Sequence, residues 1–276
     1  MLILTLKTEP SQRVDLSPLS AAPGLTSEEI AALKLWSGKK TYRVDELFGV
    51  EEIGAPHASP LRMVIRNSCA KLDFIGKGAS EVEIRVEGDA GAYLGMGLRS
   101  GRIHVTGNAD AFVACEMRGG LIQIDGQAGD FLAAALPGDK RGMRGGTVLV
   151  KGDAGDRVGD QMRGGIVLVE GDVGNYCAAR MIAGTIAVMG RTGRFLGYGL
   201  RRGTVLLWQE TEILPTFGDC GIHTLSYLPL WFAALRTLDS RFASPDAAFA
   251  RVRRYGGDLA TVGRGEILIR TLSSCL

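Results

Sequence analysis

A glycine-containing block of four residues recurs through the middle of the chain at a nearly constant interval. It reads GDAG from Gly88, and related blocks begin at Gly107, Gly126, Gly152, Gly171 and Gly190. The steps are 19, 19, 26, 19 and 19 residues, and the longer step holds a seven-residue insertion, LPGDKRG, at residues 136–142. A period this regular predicts stacked units, in which each repeat packs mainly on its neighbours.

A short run of aliphatic residues lies between consecutive blocks and keeps the same phase. Its first and third residues are Val, Ile or Leu in all six copies, at residues 103–105, 122–124, 148–150, 167–169, 186–188 and 205–207. A strand this short buries its apolar face only when it stacks at about 4.8 Å on its neighbours. We therefore expect an interior column of aliphatic side chains, each contributing about 1.5–3 kcal/mol when fully buried.

Glycine and aromatic columns accompany these runs. The glycines, expected at corners with positive φ, are Gly101, Gly120, Gly146, Gly165, Gly184 and Gly203. The aromatic residues, expected on a second apolar strand, are Tyr93, Phe112, Phe131, Tyr176 and Phe195, with Arg157 as the exception. The period is too short for one helix per repeat and about half of a propeller blade. These features predict an all-β fold, a parallel β-helix (solenoid) of about seven 19-residue coils.

The two ends depart from the repeat. The sequence predicts an N-terminal strand and helix cap at residues 1–65, the repeat domain at 66–209, and a helical C-terminal cap and tail at 210–276. Further strands are expected at residues 2–7, 61–67 and 72–76, and a degenerate repeat at residues 83–86. Residues 26–36 predict a helix with a capping box from Thr26 to Glu29. Residues 225–235 predict a helix that covers the open end of the stack, forms a subunit interface, or does both.

The overall composition excludes several classes of function. The net charge of +2 on 276 residues is too balanced for bulk attraction to nucleic acid or to an anionic membrane. No stretch of the sequence resembles a signal peptide or a membrane span. The five cysteines are scattered and odd in number, which predicts free thiols in a reducing cytoplasm rather than a CxxC site.

Signals for catalysis or metal binding are weak. The three histidines form no HxH, HExxH or HxxE motif and lie at His57, His104 and His223. The carboxylates of the GDxG blocks favour turn chemistry, in which Asp bonds to nearby backbone, over an ion site. They are Asp89, Asp153 and Asp172. We predict no catalytic residue and no metal ligand on this chain.

One column of charged residues gives a sharper hypothesis. Five arginines occupy the same position of the repeat, interrupted by Ile182: Arg99, Arg118, Arg144, Arg163 and Arg201. Guanidinium groups about 4.8 Å apart repel by about 1 kcal/mol per pair in water. They must splay into solvent with local ion pairs, or bind an anionic partner, and both outcomes stay open. With the neighbouring Arg202 they form a candidate strip for binding a polyanionic cofactor, which we call the arginine strip.

The repeated pattern GDAGxxxGxxMRGGxIxVxG resembles the C subunit of formylmethanofuran dehydrogenase and the C-terminal domain of the large glutamate synthase subunit, over residues 66–209. The tail RRYGGDLATVGRGEILI, residues 253–269, is similar to the dehydrogenase protein and not to glutamate synthase. The start, with QRVDLSPL and AALKLW, resembles the C subunit of the methylotroph formyltransferase/hydrolase complex. The resemblance implies a right-handed parallel β-helix that packs against partner subunits.

The same resemblance implies a non-catalytic scaffold subunit of a cytoplasmic complex. That complex transfers a formyl group from tetrahydromethanopterin to methanofuran and releases formate. The implied partners are a zinc-dependent amidohydrolase-like subunit, a formyltransferase and a molybdopterin-enzyme-like subunit, and neither nucleic acid nor membrane. No cofactor is expected on this chain. The polyglutamate of the methanofuran-type carrier is our own candidate for the anion that meets the arginine strip.

Three alternatives stay open at this point. In the first, the chain is the C subunit of a tungsten or molybdenum formylmethanofuran dehydrogenase; zinc, tungsten or molybdenum would in each case lie on a partner. In the second it is a stand-alone β-helix enzyme acting on carbohydrate, although such enzymes usually need carboxylate clusters and longer, less regular coils. In the third it is a glutamate synthase-like domain acting alone, which would also be structural.

Overall fold

The structure of the protein is a computed structural model, and it describes residues 1–53 and 60–271. His57 and Cys275 lie outside the described residues. Strands dominate the described chain: β1 (Leu2–Leu6), β2 (Val14–Asp15), β3 (Lys34–Ser37), β4 (Lys40–Arg43), β5 (Phe48–Glu52), β6 (Leu61–Ser68), β7 (Leu72–Asp73), β8 (Val82–Gly88), β9 (Gly101–Val105), β10 (Leu121–Ile124), β11 (Thr147–Val150), β12 (Ile166–Val169), β13 (Thr185–Val188), β14 (Arg202–Leu207), β15 (Gly218–Thr224), β16 (Arg251–Gly257) and β17 (Arg264–Arg270).

Helices are few and short. The α-helices are α1 (Ser27–Ala32), α2 (Val44–Leu47) and α3 (Leu228–Leu235), and 3-10 turns lie at Ser17–Ala21, Arg241–Ala243 and Pro245–Ala247. None of the helices in the described ranges has the length and apolar character needed to cross a bilayer. The protein is therefore mostly β, as predicted.

One large sheet organises the described chain. Its thirteen strands run in the order β15-β16-β17-β14-β13-β12-β11-β10-β9-β8-β6-β1-β5. Ten of them run parallel to one another, and we call these the strand stack: β1, β6, β8 to β14 and β17. Antiparallel strands flank it, β5 at one edge and β16 with β15 at the other. A second sheet has the order β4-β3-β2-β7.

Equivalent residues of successive repeats lie side by side in the stack. Ile103 pairs with Ile122, and Ile122 pairs with Val148, so like side chains meet as the 19-residue period predicts. The degenerate repeat joins in register, because Ile84 pairs with Ile103. The column ends at Ile267 of β17, which the sequence did not assign to the stack. All five side chains are buried, and they form the main core.

The glycine column has the predicted positive φ in every copy. At Gly165, φ is +93°, and an added Cβ would lie 2.8 Å from the carbonyl oxygen of Gly146 in the preceding repeat. A left-handed conformation and a backbone approach this close both require glycine. The column therefore sets how tightly neighbouring repeats stack.

The predicted second strand is wrong. At the aromatic positions every second residue has positive φ instead, as at Phe112 (62°), Ala114 (59°) and Glu116 (58°). We call this segment of each repeat the left-handed ribbon; its copies lie at residues 74–78, 93–97, 112–116, 131–135, 157–161, 176–180 and 195–199. In the copy next to the insertion only Phe131 and Ala133 have positive φ. Its backbone N–H groups alternate between neighbours, since Tyr93 donates to Ala111 O of the next repeat and Gly95 donates to Ile75 O of the preceding one.

The rings of the ribbon stack face to face. The Phe112 and Phe131 centroids are 4.7 Å apart with planes at 5°, and the Tyr176 and Phe195 centroids are 4.7 Å apart. Arg157 occupies the gap in this column. Its guanidinium carbon lies 4.8 Å from the Tyr176 ring centroid and 5.9 Å from that of Phe131. A planar cation thus continues the stack where the aromatic pattern is interrupted.

The N-terminal segment confirms one prediction and corrects two. The Thr26–Glu29 capping box is present at the start of α1. The helix ends at Ala32, however, because Leu33 is extended (ψ 142°), and the second half of the predicted helix is β3. The predicted strand at residues 72–76 is reduced to Leu72–Asp73, because Phe74 begins the first left-handed ribbon.

The C-terminal segment is less helical than predicted. The expected helix forms as α3, but it packs on the outer face of the strand stack rather than over its end. Phe232 of α3 belongs to a second core with Leu149 and Leu168, which point away from the main core. The end of the stack is instead extended by β17, which pairs parallel with β14 and is followed by β16 and β15.

Candidate functional site

The residues of the arginine strip follow the strand stack from repeat to repeat. The backbone N–H of Arg118 donates to Leu98 O at 2.8 Å, and that of Arg163 donates to Met143 O at 2.8 Å. Equivalent bonds tie Arg99, Arg144 and Arg201 to the preceding repeat, so these five occupy one position of successive repeats, and Arg202 follows at the start of β14. Five of the six strip arginines are exposed: Arg99, Arg118, Arg163, Arg201 and Arg202.

The strip is weakly paired within residues 1–53 and 60–271. Arg144 is half-buried and lies 4.0 Å from a Glu116 carboxylate oxygen. Arg163 Nε donates to the backbone oxygen of Lys140, in the seven-residue insertion, at 3.3 Å. The other four arginines have no ion-pair partner in that part of the chain. The guanidinium groups are thus available to an anion, while their mutual repulsion remains largely uncompensated.

The carboxylates of the GDxG blocks act between repeats. Asp153 Oδ1 accepts the backbone N–H of Asp172 at 2.8 Å, and Asp172 Oδ1 accepts that of Arg191 at 2.7 Å. A parallel ladder runs three residues along, where Asp156 Oδ1 accepts from Asn175 N and Asn175 Oδ1 from Arg194 N. The backbone bonding expected for these residues is present, but its partner lies in the next repeat and not in the same turn. These side chains therefore stabilise the contact between successive repeats.

A polar network that the sequence did not predict lies on the outer face of the sheet. His104 Nε2 lies 2.7 Å from Asp125 Oδ2, and Lys151 Nζ contacts both Asp125 (3.0 Å) and Asp239 (2.7 Å). Burial raises the pKa of Asp125, but hydrogen bonds from Gln123, Lys151 and His104 outweigh it and hold that pKa below its usual value. The network joins the sheet to the segment after α3 through Asp239.

A second unpredicted feature is a buried carboxylate at the left-handed ribbon. Asp160 is 3% exposed and pairs with two arginines, Arg157 at 3.2 Å and Arg180 through a bidentate contact. Arg157 therefore serves both the ring stack and this ion pair. The sequence signal was present as the exception in the aromatic column. Asp160 lies three residues after Arg157 in the same ribbon, and Arg180 comes from the next repeat.

The remaining candidate residues have structural contacts. His223 Nε2 lies 2.8 Å from the backbone oxygen of Cys220. Burial raises the pKa of the Cys115 and Cys177 thiols to about 12. Within the described ranges, no three His, Cys, Asp or Glu side chains converge as a metal-binding group.

Comparison with known proteins places this architecture in a family. A family model described as the GXGXG motif matches residues 63–220, which is more than half of the chain and spans the left-handed ribbons. The chain belongs to the GXGXG-motif family. The alternation of left-handed residues explains why this family can carry GxG strings such as Gly95–Met96–Gly97, since glycine adopts positive φ without strain.

Known proteins that resemble this chain include subunits of a formyltransferase/hydrolase complex and of formylmethanofuran dehydrogenases. One chain of the formyltransferase/hydrolase complex (FhcABCD) from Methylorubrum extorquens, solved with methylofuran, is 37% identical with a TM-score of 0.89; the match covers 98% of this chain and 100% of that one. The C subunit of the tungsten-containing formylmethanofuran dehydrogenase 2 of Methanococcus maripaludis is 35% identical over 95 residues, 34% of each chain. The C subunit of the molybdenum-containing formylmethanofuran dehydrogenase 1 of Methanosarcina barkeri is 37% identical over 71 residues, 26% of this chain and 24% of that one.

The aligned stretch thus spans only about a third of the first of these curated relatives (34%), whereas the solved structure matches throughout. The resemblance to C subunits of formylmethanofuran dehydrogenases and to a chain of the formyltransferase/hydrolase complex is confirmed.

Proposed function

We propose that this chain is a non-catalytic scaffold subunit of a formyltransferase/hydrolase complex. In this complex a formyl group passes from tetrahydromethanopterin to methanofuran and is released as formate. The observation that carries the proposal is the structural match to a chain of such a complex over 98% of this chain, at 37% identity. A match of this extent includes the N-terminal segment and β15 to β17, and not only the repeat that related proteins share.

The architecture that suits this role is a right-handed parallel β-helix. The parallel register of the strand stack supports it, as do the parallel bridges from Ala90 through Ala109, Ala128, Ala154 and Val173 to Thr192. Each repeat bonds to both neighbours along the strand, the GDxG corner and the left-handed ribbon. Such an element is stiff along its axis and offers long, regular faces to partners.

The side chains that could have carried chemistry support a scaffold instead. The carboxylates of the GDxG blocks bind backbone N–H groups, Asp160 is neutralised by two arginines, and His104 belongs to a network that anchors the segment after α3. In this proposal the zinc and the chemistry belong to amidohydrolase-like and formyltransferase partners, with a molybdopterin-enzyme-like subunit as a third. The reduced buried thiols fit a cytoplasmic complex.

Purification from the source organism through a tag on this chain tests the proposal. Mass spectrometry should identify a formyltransferase and an amidohydrolase-like subunit in stoichiometric amounts, and metal analysis should find zinc without tungsten or molybdenum. Tungsten or molybdenum in the purified complex would instead assign the chain to a redox dehydrogenase, the function of the curated relatives. A chain recovered alone under mild salt would contradict both.

Within that complex the arginine strip binds the polyglutamate of the methanofuran-type carrier. All strip arginines except Arg144 have no ion pair in the described part of the chain, and the strip follows one face at the spacing of the repeats. Because an extended polyglutamate also presents carboxylates at regular intervals, several weak contacts add along its length.

Charge reversal at three exposed strip residues, Arg99→Glu, Arg118→Glu and Arg163→Glu, tests this contact in the assembled complex. We expect weaker carrier binding by about tenfold or more and a smaller dependence of that binding on salt. The matched control reverses three exposed lysines far from the strip, Lys34→Glu, Lys39→Glu and Lys40→Glu. Unchanged carrier affinity and salt dependence in an intact complex would dispose of the strip as a carrier site.

A further inference from the structure

Both side-chain ladders end at the last repeat. Oxygens of Asp or Asn accept backbone N–H groups of the next repeat at Asp89, Asn108, Asp153 and Asp172 in one column and at Asp130, Asp156 and Asn175 in the other. The next residues in these two columns are Arg191 and Arg194, which have no acceptor atom to offer. Beyond these residues the chain still keeps the period at Thr211, whose Oγ1 lies 2.7 Å from Thr192 Oγ1. Both ladders therefore end in exposed cationic side chains.

The ring stack also ends here. Phe195 stacks on Tyr176 at 4.7 Å, and in the described chain no ring lies against its other side. Phe195 is 44% exposed, and Tyr198, three residues on, is 54% exposed. These are large apolar groups whose burial by a partner would be favourable.

A loop from the C-terminal strands adds to the same patch. The Gly199 N–H donates to Asp258 Oδ2 at 3.0 Å, and Thr261 Oγ1 donates to Leu200 O at 3.0 Å, so residues 258–263 lie against the end of this repeat. That loop exposes Leu259 (66%) and Val262 (54%). Apolar groups from two separate parts of the chain therefore meet at one end of the stack.

Arginines surround this patch without counter-charges in the described chain. The Arg264 backbone N–H donates to Arg201 O at 3.2 Å, and Arg264 lies opposite Arg202 in the pairing of β14 with β17. Arg194 is adjacent to Phe195. All four are exposed and have no ion pair within the described residues. The nearby Asp258 is buried and already accepts backbone N–H groups. Glu210 and Glu212 flank Thr211, which bonds to Thr192 of this repeat, but neither forms an ion pair with these arginines in the described chain.

We infer that this end of the stack docks an acidic face of another subunit of the complex. The end surface, as we call it, consists of Phe195, Tyr198, Leu259 and Val262 with Arg194 and Arg264, and it lies next to Arg201 and Arg202 of the arginine strip. The partner places apolar side chains against the exposed part of Phe195 and carboxylates against Arg194 and Arg264. Aromatic and arginine side chains dominate binding at interfaces, and opposite charges at the rim speed association. This inference rests on the proposed function.

The test uses Arg194→Glu with Arg264→Glu, which leaves the arginine strip intact. The variant and the wild type are each co-expressed with the other subunits of the complex, and assembly is measured by native mass spectrometry across protein concentrations. We expect the dissociation constant to rise by about tenfold or more, as for hot-spot residues, and the wild-type assembly to weaken with salt. A second variant, Phe195→Asn, keeps a residue that tolerates positive φ and should weaken assembly without changing the charge.

Lys39→Glu with Lys40→Glu is the matched charge control and should assemble normally. The melting temperatures of all isolated variants establish that each one folds. Wild-type assembly of both end-surface variants would overturn the inference while leaving the proposed function intact. Loss of self-association alone would assign the surface to a second copy of the chain, and loss of carrier binding alone to the carrier; either result would overturn the inference. Failure of the wild type itself to join the other subunits would contradict the proposed function.

Discussion

Non-glycine residues in left-handed conformation are the most unusual feature at the residue scale. Phe112, Ala114 and Glu116 all have φ near +60°, which costs roughly 1–2 kcal/mol for each such residue. Ring stacking stabilises the ribbon by about 0.5–1.5 kcal/mol per pair. Each alternating backbone hydrogen bond to a neighbouring repeat contributes about 1 kcal/mol. The ribbon is therefore stable only because the same geometry recurs in every repeat.

Gly165 is the position where an added methyl group should do most harm. Gly165→Ala places Cβ 2.8 Å from the Gly146 carbonyl oxygen in addition to the cost of positive φ. We expect a loss of about 2–3 kcal/mol, which lowers the melting temperature by roughly 4–12 °C. Gly138→Ala is the control, because it has a similar φ and nothing within 4 Å, and should lower it by about 2–4 °C. Equal effects in differential scanning calorimetry would show that close approach between repeats is unimportant.

The buried thiols report on the same core. Because the pKa of Cys115 and Cys177 is raised to about 12, both should remain protonated and unreactive at pH 8 in the folded chain. A variant in which the other three cysteines are replaced by serine should show two thiols that react with a thiol reagent only in denaturant. Rapid reaction of either thiol in the native state would mean that the core opens readily.

At the scale of elements, the strands were predictable because their signal is local and repeated. The left-handed ribbon was not, because Phe, Tyr and Arg in columns read as apolar strand positions, and only their inter-repeat bonds reveal positive φ. The position of α3 had a sequence signal that was overlooked. The column of side chains on the outer face of the strand stack changes from polar (Arg85, His104 and Gln123) to apolar (Leu149 and Leu168). The apolar half must be shielded from water, and α3 packs on it.

Glu170 holds the covering segment on the stack. Its Oε1 accepts from Ser240 Oγ at 2.8 Å and from the Arg241 backbone N–H at 2.7 Å, and the residue is only 7% exposed. Glu170→Ala removes both bonds, a loss of about 1–2 kcal/mol that should speed trypsin cleavage after Arg241 by about fivefold to thirtyfold. Glu170→Gln retains an acceptor oxygen and should be cleaved nearly as slowly as the wild type. Equal cleavage rates for all three proteins would mean that the segment is held elsewhere.

At the scale of the whole molecule, the 19-residue period predicts that the arginines of the strip align, but it does not predict which other residues lie beside them. Spacing alone placed Arg118 and Arg163 one above another. It did not show that Lys140 of the insertion reaches Arg163, or that Arg264 returns from β17 to lie beside Arg202, because both depend on chain segments outside the period. The end surface was hidden for the same reason: its loop lies about sixty residues further along the chain.

The central claim is that this chain organises formyl transfer without performing it. The most direct measurement is formyl transfer coupled to formate release, assayed with separately purified subunits in the presence and absence of this chain. We predict no turnover by the chain alone, partial reactions by the formyltransferase and hydrolase subunits, and efficient coupling only when this chain joins them. Turnover by the isolated chain, or full coupling in its absence, would contradict the account.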